Sequence, residues 1–156
     1  MSNLKSTKVA RILSTVAIVL GAVFVVAGGT TWALVSSNLK AQDITVAEDA
    51  SAFAGQLVDT PWEAWAQADI INHHALAATD GKTYSQLEKD DPVRPTAMNG
   101  ALLRSALFTS IIGFGVSLLV VGIGVVVAAL GVAVRVLIPA TATTPVTTGA
   151  REVATA

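Results

Sequence analysis

Asp69, His73 and His74 are the residues whose types and spacing come nearest to a reactive site. The two histidines are the chain's only ones and stand in the stretch QADIINHHALAATDGKTY, from Gln67 to Tyr84. On a helix, Asp69 and His73 are i and i+4, so both could touch one ion. His74 points about 100° away and does not join them. A zinc site wants three or four protein ligands, and a non-haem iron site wants two histidines and a carboxylate on one side. Adjacent helical histidines supply neither pattern, so no metal site is assigned, and Asp69 and His73 stand as bare candidates. A triad needs a positioned nucleophile and base, and nothing in the spacing ties Ser85 or Thr79 to His74. His73 and His74 therefore read as polar or interfacial side chains, with pH sensing as the other use of an imidazole.

These residues sit in the one polar region of a very apolar chain. Of 156 residues 53% are hydrophobic and 13% charged, against about 25% charged in an average soluble domain. A net charge of −1 gives no field that would draw nucleic acid, and the lack of cysteine removes disulfides and thiol nucleophiles. Two blocks, Ile12 to Val35 and Ala106 to Val134, contain no charge. Each exceeds the roughly 20 apolar residues that cross a hydrocarbon core of about 30 Å. Without water to satisfy its peptide groups, such a segment must be helical. The remainder of the chain is too short and too polar to bury two such helices. Lys5, Lys8 and Arg11 resemble a signal-peptide start, but the apolar run is far longer than an h-region, which predicts an uncleaved anchor.

Charge placement predicts orientation. Between Ala41 and Gly100 there are ten acids and three bases, a net −7, whereas Lys5, Lys8, Arg11, Arg135 and Arg151 flank the far ends of the spans. Basic flanks stay cytoplasmic, so both termini are expected inside and the acidic loop outside. Arg104 and Arg135 lie about 46 Å apart on a helix, each able to snorkel to its own interface. A second helix beginning near Thr96 or Asn99 would project above the membrane. Trp32 suits the outer interface. Neither span holds a charged side chain, which argues against a transporter or proton channel.

Small residues line both spans: Ser14, Ala17, Gly21 and Gly28 in the first, Gly113, Ser117, Gly124, Ala128 and Gly131 in the second. In lipid, helices associate by close backbone approach through such rows. They predict a tight hairpin or contact with another protein's helices, and Gly115 and Gly122 offer a second small face. In the loop, Thr60, Pro61 and Glu63 form a T-x-x-E helix start, and Gly81 a stop. Trp62, Ala66, Ile70, His73 and Ala77 then share one face, and Trp65, Ala68, Asn72 and Leu76 another. A β-like piece precedes this helix at Ile44 to Val46. The loop is too small for a sizeable core and is expected to rest on the membrane surface or a partner.

The stretches VSSNLKAQDITVAEDA, QADIINHHALAATDGKTY and DDPVRPTAMNGALLRSALFTS, with their flanking spans, resemble a family of small actinobacterial two-span membrane proteins of unassigned function, over about Arg11 to Val134. Members often carry the label "aromatic ring-opening dioxygenase", which implies a soluble non-haem iron enzyme. The ligands for that chemistry are missing from this sequence and most of the chain suits a bilayer, so the label reads as a naming error. The resemblance carries over no functional residues.

The sequence thus predicts an all-α membrane protein, a two-helix transmembrane hairpin with a small, mostly helical extracytoplasmic loop domain. Its parts are a cytoplasmic N-terminus at 1–11, spans at 12–36 and 105–135, a loop at 37–104 with helices at 61–78 and 84–89, and a disordered cytoplasmic tail at 136–156. The expected role is a non-enzymatic accessory or scaffold subunit of a larger envelope or respiratory membrane complex. Its partners would be the lipid bilayer and other membrane proteins, in a hetero-complex or homo-oligomer, with no cofactor, nucleic acid or small-molecule substrate. The expected helix-packing residues are Gly21, Gly28, Gly113, Ser117, Gly124, Ala128 and Gly131, and the expected loop contacts Trp62 and Trp65. The alternative is a ligand, metal or pH sensor acting through Asp69, His73 and His74.

Overall fold

The computed structural model describes the backbone of residues 2–138 and the side chains from Thr7 to Ile138; the expected cytoplasmic tail from residue 139 on lies outside the described residues. Three α-helices follow in order: α1 (Ser2–Lys40), α2 (Pro61–Ala77) and α3 (Arg94–Leu137). At 1.5 Å per residue, α1 and α3 are rods of about 58 and 66 Å, well beyond what a 30 Å hydrocarbon core requires. Both are long and apolar enough to cross a membrane.

The two rods run antiparallel in contact along their length. Ser14, Gly21 and Gly28 are buried on α1, and Ser117, Gly124 and Gly131 on α3. Each set repeats every seven residues, the period that keeps one seam facing a partner as two helices supercoil left-handedly. Gly131 meets Ser14 and Ile18, Gly124 meets Gly21 and Val25, and Gly28 meets Ser117 and Val121. A methyl group added at Gly21 would fall 2.5 Å from the Gly124 carbonyl oxygen and 2.6 Å from the Ala128 nitrogen. The small rows are thus spent on the hairpin itself, and Gly113 faces Val35 at ordinary contact distance. Gly29, Gly115 and Gly122 have nothing within 4 Å. The buried hydroxyls of Ser14 and Ser117 bond the carbonyls of Arg11 and Gly113 in their own helices, at 2.9 and 2.8 Å, so the seam carries no unmet polar group. At the far end Arg135 donates to Thr15 Oγ1 across the pair at 2.6 Å, besides any interfacial role. Near the other end Trp32 lies half-buried against Phe114, ring centroids 4.6 Å apart; it is an inter-helix contact and not a free interfacial anchor.

Both rods overrun the apolar blocks. α1 continues to Lys40, four residues past the expected end of its span, and the chain then turns at Asp43 with φ +52°. α3 starts at Arg94, with Pro95 in its first turn and Asp91 Oδ1 accepting the Val93 N–H at 3.0 Å. This extension is where the connector docks. The connector packs on its own long helices, a contact that the sequence pattern did not indicate. Leu39 of α1, Leu107 and Phe114 of α3, Ala64 and Ala68 of α2, and Val46 and Val58 of the preceding arm form one buried cluster. Gly100 sits directly under Ala75, where a side chain would collide.

Helix α2 begins as the T-x-x-E motif requires. The Thr60 N–H donates to Glu63 Oε2 at 3.1 Å, the Thr60 hydroxyl bonds the same carboxylate, and Thr60 Oγ1 accepts from the Trp62 N–H at 3.4 Å. It ends where Gly81, at φ +79°, returns its N–H to the Leu76 carbonyl at 2.8 Å. Its buried face is neither of the two read from the pattern: Glu63, Ala64, Ala68 and Ile70 are buried while Trp62 and Trp65 are exposed. The reason is that small alanines, and not indoles, fit beneath the arm and against α3. The expected short helix at 84–89 is a single 3-10 turn, Tyr84–Gln86, closed by reciprocal Thr83 and Gln86 bonds. Asp90, Asp91 and Pro92 follow too soon for a longer helix. The β-like piece is one isolated antiparallel bridge, Thr45 to Leu57, within an arm held by Val46–Gln56, Gly55–Val46 and Val58–Ile44 backbone bonds of 2.8–2.9 Å.

The seam gives a paired prediction. Gly21→Ala should destabilise the chain by on the order of 1–3 kcal/mol, because the rods must part. Gly29→Ala, on open surface, should be neutral or stabilising by up to about 1 kcal/mol. Unfolding by denaturant titration in detergent checks both; equal effects would show that the glycine seam is not what joins the helices.

Candidate functional site

The two histidines turn to different carboxylates. His73 Nδ1 lies 3.9 Å from Asp69 Oδ2 in the same helix, with both side chains more than half exposed. His74 Nε2 reaches across to Asp49 Oδ2 on the arm, at 2.7 Å. Asp69 and His73 therefore share a face as the spacing predicts, but His74 faces a third element and does not converge with them. Among the described residues no group of three or more His, Asp or Glu stands together as a metal would need. The residues present do not fit a two-histidine, one-carboxylate iron site, because the imidazoles diverge. What His74 does is mechanical: it pins the arm to α2. The hydrogen bond from His74 holds the Asp49 carboxyl below its ordinary value, outweighing the opposing effect of desolvation.

Three more polar ties hold the cap. Gln67 Oε1 accepts the Ala47 N–H at 2.9 Å, Lys40 pairs with Asp59 at 2.9 Å, and Arg94 donates to the Leu87 carbonyl while its guanidinium lies 4.2 Å over the Tyr84 ring. Trp65 meets Phe108 of α3 edge-on, ring centroids 5.3 Å apart, and the Arg104 guanidinium lies over the Phe108 ring at 5.2 Å. Trp62 makes no ring contact among the described residues and is 67% exposed, against 58% for Trp65. The two indoles are thus unequal: Trp65 is partly an internal prop, and Trp62 is a free apolar surface.

Where α2 lies on α3 beside the end of α1, the three helices leave a cleft of about 700 Å³. Its floor is Leu39, Leu107, Val35 and Ile71, and Gly113 marks its lower end. Asn38, Gln42 and Gln67 supply carboxamides, and Thr109 and Ser110 hydroxyls. Those hydroxyls bond carbonyls in their own helix, and Gln67 has its oxygen taken by Ala47. Asn38 Nδ2 donates to the Leu34 carbonyl at 2.8 Å, so what remains for a guest is carboxamide N–H and C=O at a mostly aliphatic wall. No charged side chain lines the cleft. It has the size and the polar-to-apolar balance of small-molecule sites. The sequence reading did not find it. The one signal available was Asn38 and Gln42, an i, i+4 amide pair just beyond the first apolar block.

The chain matches no family model, no curated protein and no solved structure. Function must therefore be argued from this geometry alone.

The His74–Asp49 tie gives a pH prediction. A depressed folded-state pKa means that the tie stabilises the docked arm above the ordinary aspartate range, near pH 3.9, and is lost as pH falls through the lower folded value. The Asp49 carboxyl carbon, followed by NMR, should titrate below that ordinary value and return to it in His74→Ala. An Asp49 midpoint that His74→Ala leaves in place would remove the assigned cause.

Proposed function

We propose that this chain is an integral membrane protein that crosses the bilayer twice, with both termini cytoplasmic and the cap outside. One observation carries the reading. In the most apolar window of each long helix only 11% and 17% of residues are buried within the molecule, so Leu13, Val16 and Leu20 of α1 and Leu118, Leu119 and Val126 of α3 face outward. The core helix of a water-soluble protein buries such residues. An aliphatic surface running the length of two uncharged rods needs lipid around it. The orientation rests on the cationic flanks and the acidic connector.

On that placement, the chain serves as a non-enzymatic accessory subunit that docks to another membrane protein through the outer cap. The exposed Trp62 supports this reading: it is a large apolar side chain turned away from a cap whose own core is complete, and Trp is among the residues that anchor interfaces. A sensor reading has one observation in its favour, since the His74–Asp49 pair joins two elements of the cap and its ionisation changes how firmly they are held.

The cysteine-free sequence makes the topology test direct. In intact cells a membrane-impermeant maleimide should label Ser51→Cys in the cap and spare Thr7→Cys; the reverse pattern would invert the orientation. Mild detergent extraction should retain a partner that Trp62→Ala releases while leaving the His74–Asp49 contact intact. Co-purification unaltered by Trp62→Ala would remove the cap from the interface.

A further inference from the structure

We infer that the cleft beneath the cap holds one acyl chain of an outer-leaflet lipid, raised above the level of its neighbours. The inference rests on the two-span reading. Heights along the rods place the cleft. Taking Arg11 and Arg135 at the inner interface, Val35 and Gly113 stand about 36 and 33 Å above them at 1.5 Å per residue, at the outer edge of the hydrocarbon. Leu39 and Leu103 stand about 42 and 48 Å above them, from headgroup depth to the outer limit of the headgroups.

The aliphatic wall that Leu103, Ala106 and the half-buried Ile71 show to the cleft thus lies at headgroup depth, where no lipid tail covers it unprompted; Leu39 and Leu107 behind it are themselves buried. Left to water, such a surface is costly in proportion to its area. Polar and aliphatic groups alternate along the cleft, with Ser110, Thr109 and Asn38 between Gly113 and Leu103. Its membrane end is Val35 and Gly113, and its water end carries the amides of Gln42 and Gln67. Leu103 and Ala106, which line its side, are exposed and continuous with the outward face of α3, so a chain can enter laterally without crossing the cap. Headgroup recognition follows from what the rim lacks. With no charged side chain among the lining residues, it offers amide N–H donors suited to the ester carbonyls of a glycerolipid rather than to its phosphate. The half-buried Gln67 lines the cleft with its oxygen committed to Ala47, which leaves its N–H groups to donate.

The test uses the full chain reconstituted in phosphatidylcholine vesicles containing a phosphatidylcholine with a diazirine at the end of one acyl chain. After illumination, labelled positions are found by peptide mass spectrometry. The expected result is label on the α2 peptide containing Ile71, a segment that ordinary tails do not reach, alongside label on the Leu118–Leu119 flank. Ala106→Trp, which fills the cleft from its open side, should lower the α2 label several-fold and leave the flank label unchanged. Label on the flank with none on α2 overturns the inference and leaves the two-span reading standing. So does an α2 label undiminished by Ala106→Trp. A chain that fails to sediment with the vesicles overturns the two-span reading itself, and the inference with it.

Discussion

Everything in this molecule depends on how closely the backbones of α1 and α3 approach. At Gly21 and Gly124 the rods come within a distance that excludes even a methyl group. In the two-span reading, aliphatic side chains surrounded by lipid gain little by touching one another instead of the bilayer, so the pairing comes from dense packing and backbone contact. Small residues every seventh position supply it, and the seven-residue period keeps them in register through three successive layers. The larger residues are displaced outward by the same geometry. That displacement makes the outer surface of the pair continuously aliphatic.

The seam also sets the platform for the cap. Because the rods are held together past the end of their apolar blocks, Leu39, Leu107 and Phe114 present a fixed apolar floor. A connector of this length could not assemble a core alone. It borrows one, placing Val46 and Val58 over the alanine face of α2 and fastening the edges with His74–Asp49, Lys40–Asp59 and Gln67–Ala47. These exposed ties are individually weak. Their effect is directional, since they choose one docking pose for an arm with little regular structure of its own.

The cleft follows from that arrangement. Helix α2 packs along α3, and the gap opens between these two and the end of α1. In the two-span reading this gap stands at the boundary between hydrocarbon and headgroups, lined by aliphatic side chains and a few carboxamides. Of the two histidines that first suggest chemistry, His74 ties the arm to α2 beside this junction.

The sequence by itself determined the two long helices, through uncharged apolar runs that leave their peptide groups no alternative to internal hydrogen bonds. It also determined α2, through the local logic of Thr60, Pro61, Glu63 and Gly81, and it marked Gly21, Gly124 and Gly131 as contact positions through their spacing. Each of these signals lies within a few turns of one helix. Tertiary structure alone decided which face of α2 is buried, that His74 meets Asp49 twenty-five residues away, that Trp32 stacks on Phe114, and that Asn38, Gln42 and Gln67 border one cleft. Those juxtapositions join residues far apart in the chain. They exist only because the glycine seam fixes the height at which one rod stands against the other.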